Sequence, residues 1–549
     1  MKSTHVYKAF LIGTPDRQLG LRTGAITLDD TSAPHVSARI DLSIPDATLL
    51  GLLDPRDRKR IRIEATATFA FGTQTRTFNL GIRDRRVSHR AAVASLTLAS
   101  DEALLEDWAP LSDNVAPYSY QASVRALVNY VLGRVLPGTT LAAGGPDVPF
   151  RAVIGSTNLV RNPRARDNLT DWSSGNSVSR ITSGGPAGRP TYVNVMASAA
   201  SSLLVIYSAD GVALQAGKRY RLSVDQNADA GTMLGFDGLV ADANGNVILD
   251  LPETPRAASG GWDRNSMTFT APANATKMFL RSFTTQSVAA GRSLNTTGWR
   301  VSEVTDDFTD TDYFDAHYAT TAEYSYGYNG AVSVRTPLID RASDVLTWRA
   351  GVSALEFLRS IVQSLGMRLV CDEARVFTLR DGSYVAAGSL TIRHAVNLYD
   401  GTDAVSREDT EYFDAAVVRY RWRDTAGNQQ ERVDSFALTG SPSQVRVIER
   451  NAPYPGPGFA EYAVRRAQTR GRQITATTAA DWNARAEQPS EFTLLGAPVQ
   501  LGMASRVEFD LDTDQMTVTS RTTDTVVGAI DLLPDVVINA LPDVTINNL

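Results

Sequence analysis

A single cysteine, Cys371, stands in a chain of 549 residues. That excludes an intrachain disulfide framework and any zinc site built on cysteines. Its expected role is that of a small buried hydrophobe. No apolar run approaches the roughly 20 residues that a membrane-spanning helix needs. Histidine is scarce as well: His5, His35, His89, His317 and His394 are scattered, with no pair at HExxH spacing. No Gly-x-Ser-x-Gly elbow is present. Gly211–Lys218 (GVALQAGK) comes near a phosphate loop but has one residue too many, then Arg219 and a strand, so it is a chance match. Asp510–Asp514 starts like a calcium loop, yet Gln515 stands where the sharp turn needs glycine. A plain β-turn is expected there. The formal net charge of -6 offers no bulk attraction for a polyanion. The opening stretch MKSTHVYKAFLIGTPDRQLG lacks the apolar region of a signal peptide. Folding in a cytoplasm is therefore expected, without a membrane segment.

What is present is mostly β pattern. Length gives an expectation of three to five domains, with ample chain for several cores. Gly24–Asp30, Val36–Ser43, Arg60–Phe71, Thr75–Ile82 and Ala92–Ala99 alternate or are rich in β-formers. They predict a small antiparallel β-barrel-like domain over 1–105. Over 106–156 a connector carries the amphipathic helix Ala122–Leu136, stopped by Pro137-Gly138. From 157 to 312 many short strands alternate with Gly, Asn, Ser and Asp, the pattern of an all-β sandwich. Asn244-Gly245 marks a hairpin inside it. A Tyr- and Gly-rich return linker is read over 313–335. Residues 336–400 follow as a helix-plus-strand domain, whose helix Val352–Leu365 starts with a capping box, Ser353 and Glu356. A second barrel-like domain is read over 401–525, with Ala415–Trp422 as a central strand and Phe459–Arg470 as a helix. In the extended arm over 526–549, Pro534–Asn539 (PDVVIN) recurs as Pro542–Asn547 (PDVTIN). The fold class is mainly β with a few helices.

Two resemblances sharpen this. Asn158–Pro163 (NLVRNP) with Trp172 looks like the start of jelly-roll carbohydrate-binding modules of the family-4/9/22 kind. Gly217–Ser223 (GKRYRLS) is similar to a strand of theirs, and Gly261-Trp262, Ser266–Pro272 and Trp299–Val304 to their late strands. The resemblance implies a jelly-roll β-sandwich with Trp172, Trp262 and Trp299 at core positions. The second half, with Tyr412-Phe413 before Ala415–Asn428 and the late Val507–Asp510, resembles phage tail-hub proteins, the minor tail proteins of actinobacteriophages. Tyr313-Phe314-Asp315 is similar to the segment that closes carbohydrate-binding insertions in such proteins. The resemblance implies a hub of small β-barrel-like domains, interrupted by the module, in a homotrimer that adapts the sixfold tail tube to a threefold tip. Neighbours would be tail tube or distal tail, tape-measure and tip proteins. DNA would pass through the lumen without specific recognition, repelled by an acidic wall.

Sugar binding needs flat aromatic faces with planar hydrogen bonders. Tyr192, Tyr207, Arg281 and Phe283 are the candidates, the last two sharing strand parity. The acidic run Asp306–Asp312, with Asp306, Asp307 and Asp310 in front, is the candidate for a structural calcium in the module, beside the plainer reading of a solvated linker. No catalytic residue and no other cofactor is expected. The expected function is a structural protein of the virion tail tip, with a peripheral module for host-surface carbohydrate. The alternatives are a polysaccharide hydrolase with an accessory module, which needs a carboxylate pair in a cleft, or a stand-alone adhesin.

Overall fold

The computed structural model describes residues 3–44, 46–70, 72–199, 202–252, 255–304, 313–405, 412–424, 427–467, 472–496 and 499–522. The acidic run and the repeated arm lie outside the described residues. The chain divides into two compact units, Met1–Ala152 with Asp344–Leu549, and Val153–Ser343. The first is called the framework below and the second the insert. The fold is mainly β, with antiparallel sheets predominating.

The framework is built by both flanks of the insert together. One 13-stranded network runs from Arg17–Leu19 and Thr4–Leu11 through the other early strands to Leu21–Asp29. There Leu21–Asp29 pairs antiparallel with Gln500–Asp510, Ile26 opposite Phe509, and the network continues into the late strands. The segments expected as one barrel-like domain over 1–105 and another over 401–525 are joined by this pairing. The strands alternate, and their inward residues meet in one core holding Ile26, Phe78, Phe492 and Phe509. Trp482 is at its centre, its ring stacked on Phe509 at 4.4 Å and edge-on to Tyr7 and Phe78 at 5.7 and 6.1 Å. The Arg76 guanidinium seals that region, bonding the Glu373 carboxylate and the carbonyls of Trp482 and Ala484. Among the described residues two pairings between strands are parallel, against the antiparallel expectation: Leu390–Arg393 with Pro489–Thr493, and Ala415–Arg423 with Val445–Arg450.

The predicted helices are present, the first two with trimmed ends. Val124–Val135 is capped by the Ser123 hydroxyl, which accepts from the Ala126 amide. Ala354–Ser364 starts where the Ser353 hydroxyl accepts from the Glu356 amide at 3.1 Å. Phe459–Ala467 is the third. The chain on either side of the insert is tied at Asn114 and Trp348, whose amides and carbonyls bond each other at 2.9 Å. Trp348 also stacks on Phe357 at 5.4 Å. Cys371 is buried, and burial pushes its thiol well above the ordinary range.

The insert is a β-sandwich. One sheet has the order Val178–Ile181, Tyr192–Met196, Ser293–Glu303, Arg219–Ala228, Asp263–Thr270. The main path of the other is Val247–Asp250, Met233–Ala241, Lys277–Thr284, Val205–Ser208, Trp172–Ser173. Trp172 and Trp299 stack at 5.3 Å in the core between them. The Asn244-Gly245 turn forms as expected: the Asp242 amide donates to the Asn246 carbonyl, and Gly245 takes φ 87°. The return linker is corrected. Tyr324–Asn329 and Val332–Pro337 form a hairpin, and the latter pairs with Ser156–Asn158, so both ends of the insert share a small sheet. Its tyrosines alternate like strand residues, a pattern the glycines disguised.

Among the described residues no helix is long and apolar enough to cross a membrane. Replacing Trp482 by Ala is expected to lower framework stability by about 3–5 kcal/mol in chemical denaturation, with the transition of the insert unmoved. A loss below about 1 kcal/mol, under the range for large core truncations, would show that the two flanks do not depend on this packing.

Candidate functional site

The strand Lys277–Thr284 sets up one face of the insert. Met278, Leu280, Ser282 and Thr284 are buried, so Lys277, Phe279, Arg281 and Phe283 lie on the outer side. Register then brings in the neighbours. Tyr207 stands opposite Arg281 on one side and Asp237 on the other, while Val205 and Gly235 flank Phe283. Gly235 is required by the ring: a Cβ there would lie 2.6 Å from Phe283 Cε2. Arg281 is fixed by carboxylates. Its Nε donates to Asp237 Oδ1 at 2.7 Å, and a terminal nitrogen donates to Asp250 Oδ1 at 2.9 Å. Asp237 is fully buried, and its hydrogen bond holds the guanidinium above its ordinary pKa. The guanidinium carbon is 5.8 Å from the Phe283 ring centre. Tyr207 is 37% exposed.

Three of the four predicted residues, Tyr207, Arg281 and Phe283, thus come together in one patch. Tyr192 does not join them, because its strand belongs to the other sheet. It packs edge-on against Trp262 at 5.2 Å, and Trp262 donates from Nε1 to the Gly184 carbonyl at 2.9 Å. Trp262 is half-buried there, which corrects its expected core position.

Beside Tyr192 runs a feature that sequence reasoning missed. Asn194, Asn295 and Asn227 are in register on three adjacent strands. Asn194 Nδ2 donates to Asn295 Oδ1 at 2.7 Å, and Asn295 Nδ2 to Asn227 Oδ1 at 2.8 Å. A row of side-chain amides crosses the sheet. Its one signal in the sequence was asparagine inside strands, where the residue is depleted.

The Tyr313–Asp315 segment packs within the insert. Asp315 accepts from the Tyr313 hydroxyl at 2.8 Å and pairs with Arg164 at 2.8 Å. Arg300 and Arg335 lie over the Phe314 ring at 4.9 and 5.1 Å. Asp510–Asp514 is a turn, as expected, with the Asp512 amide donating to Asp510 Oδ1. The calcium candidates Asp306, Asp307 and Asp310 lie outside the described residues. Among the described residues no group of three or more His, Cys, Asp or Glu side chains is arranged to hold a metal ion.

No family model matches the chain, and no curated protein matches it. Solved structures that are similar include the tail protein from Neisseria meningitidis MC58, at 8% identity and a TM-score of 0.36, covering 95% of this chain and 97% of that one. The CBM22-1 xylan-binding domain of Paenibacillus barcinonensis is matched at 12% identity and a TM-score of 0.21, over 28% of this chain and 95% of that one. The enzymatically active domain of bacteriophage CBA120 tailspike protein 4 is matched at 12% identity and a TM-score of 0.24, over 27% of this chain. The match spans only 21% of that tailspike domain.

Arg281→Ala leaves the buried Asp237 carboxylate without its main partner. It is expected to destabilise the insert by about 1–3 kcal/mol, read as a lower midpoint of its unfolding transition. An unchanged midpoint would mean that water satisfies Asp237 equally well.

Proposed function

We propose that this chain is a structural component of a phage tail, forming the trimeric hub at the tail tip and binding host-surface carbohydrate through its insert. The observation that carries the proposal is the construction of the framework. Its sheet and core are made by the two flanks jointly, while the insert closes on its own core and its own small sheet. A chain so organised keeps an assembly framework intact while carrying a separate binding module. The patch of Tyr207, Arg281 and Phe283 supplies the chemistry such a module needs. An apolar pyranose face stacks on an aromatic ring, and a guanidinium pinned by two carboxylates directs N–H groups at hydroxyls. The role is recognition rather than turnover, and the protein works within the virion among other tail proteins.

Tyr207→Ala in the full chain is expected to weaken binding to purified host cell-wall polysaccharide about tenfold, equivalent to ~1.4 kcal/mol. Wild-type protein that binds no host polysaccharide would overturn the carbohydrate reading. Reducing ends released from that polysaccharide would favour the hydrolase alternative instead.

A further inference from the structure

The framework contains two neighbouring cavities that the carbohydrate reading does not use. They share Arg368, Tyr462 and Arg466 as lining. The first, about 620 Å³, is lined by Arg359, Arg368, Arg446, Arg450 and Arg466, with Asp30 as the sole carboxylate among its lining residues. Leu358, Val362, Ile448 and Phe459 give it an apolar wall. The second, about 740 Å³, adds Arg465 and Arg521 to the shared arginines, with Tyr384, Val385 and Met503 as apolar wall. Its three carboxylates are already engaged: Glu487 accepts from Arg380 at 2.7 Å and pairs with Arg368, Glu461 pairs with Arg465 at 2.7 Å, and Asp381 accepts from the Ser383 amide and hydroxyl at 2.9 and 2.6 Å. Asp30 serves three guanidiniums, Arg521 at 2.6 Å, Arg466 at 3.3 Å and Arg368 at 3.9 Å. Burial, with the neighbouring Arg466 charge next in weight, pushes Arg368 down to about 9. An anion entering here would be favoured by charge and met by apolar wall.

The sequence beyond Thr522 has the matching chemistry. Residues 523–549 contain Asp524, Asp531, Asp535 and Asp543 and no Lys, Arg or His. Each half of the repeat sets one aspartate among apolar residues, Asp535 before Val536-Val537-Ile538 and Asp543 before Val544-Thr545-Ile546. Two acidic-apolar units thus match two basic-apolar cavities in number and in chemistry. Reach is sufficient: Arg521 itself lines the second cavity, and aspartates eight residues apart span up to about 26 Å of extended chain. We infer that the repeated arm of this chain docks in the two arginine-lined cavities of its own framework, one aspartate in each. Arginine suits this task because its planar fork pairs a carboxylate through two hydrogen bonds.

Hydrogen exchange of the full chain, followed by mass spectrometry of peptides covering 531–549, tests this. Wild-type arm amides are expected to exchange at least tenfold more slowly than an unstructured peptide. The double variant Asp535→Lys/Asp543→Lys, which alters only the arm, is expected to lose that protection. Arg359→Glu, on a helix surface, is expected to reduce it. Oxidation of the pair Gln363→Cys/Val537→Cys then identifies the copy, and a cross-link within one chain is expected. Unprotected wild-type amides, protection that survives the double lysine variant, or cross-links formed only between chains would each overturn the inference.

Discussion

The pairing of Leu21–Asp29 with Gln500–Asp510 is the constraint on which the framework depends. It brings together segments separated by most of the chain, and Trp482 fixes the result by packing against Phe509 and Phe78 at once. Loop-closure entropy explains why a long insertion is compatible with such a pairing. Each doubling of the loop costs only about 0.6 kcal/mol. Adding 153–343 less than doubles the separation between Asp29 and Arg506. The reciprocal bonds of Asn114 and Trp348 further tie the chain on both sides of the insert, so the framework does not rely on the insert for its closure.

The insert follows the same logic on a smaller scale. Its small sheet joins Ser156–Asn158 to Val332–Pro337, and buried Asn158 donates from Nδ2 to the Trp299 carbonyl at 2.9 Å. Its two ends are therefore held near one another, the geometry that insertion into a second domain requires. With the backbone closed in this way, the outer faces of both sheets are left to side-chain chemistry. One carries aromatic rings around Arg281, the other a row of asparagine amides beside Tyr192.

Features set by local pattern were legible in the sequence. The Ser353 cap, the Asn244-Gly245 turn and the outward parity of Arg281 and Phe283 depend on residues close together in the chain, and all three appear where expected. Features set by distant partners were not. The 1–105 and 401–525 segments each read as complete β domains, since nothing local announces that Ile26 faces Phe509. Tyr324–Asn329 read as linker because Gly327, a residue depleted in strands, disguises the alternation of its tyrosines, and its partner Val332–Pro337 lies across a tight turn at Gly330. The four-residue candidate site mixed two sheets for the same reason: parity assigns a side chain to a face, but only pairing assigns the strand to a sheet. The arginines that meet Asp30 come from positions 368, 466 and 521, beyond the reach of any spacing rule.

The central claim is that one framework, built by both flanks of the insert, assembles into a tail-tip ring. Imaging of purified virions by electron cryomicroscopy, with three copies of this chain fitted to the density, tests it most directly. The account predicts a threefold ring at the tail tip, with one sandwich-sized knob per subunit carried on it. A tail tip whose density holds no copy of this framework, or holds it without threefold symmetry, would contradict it.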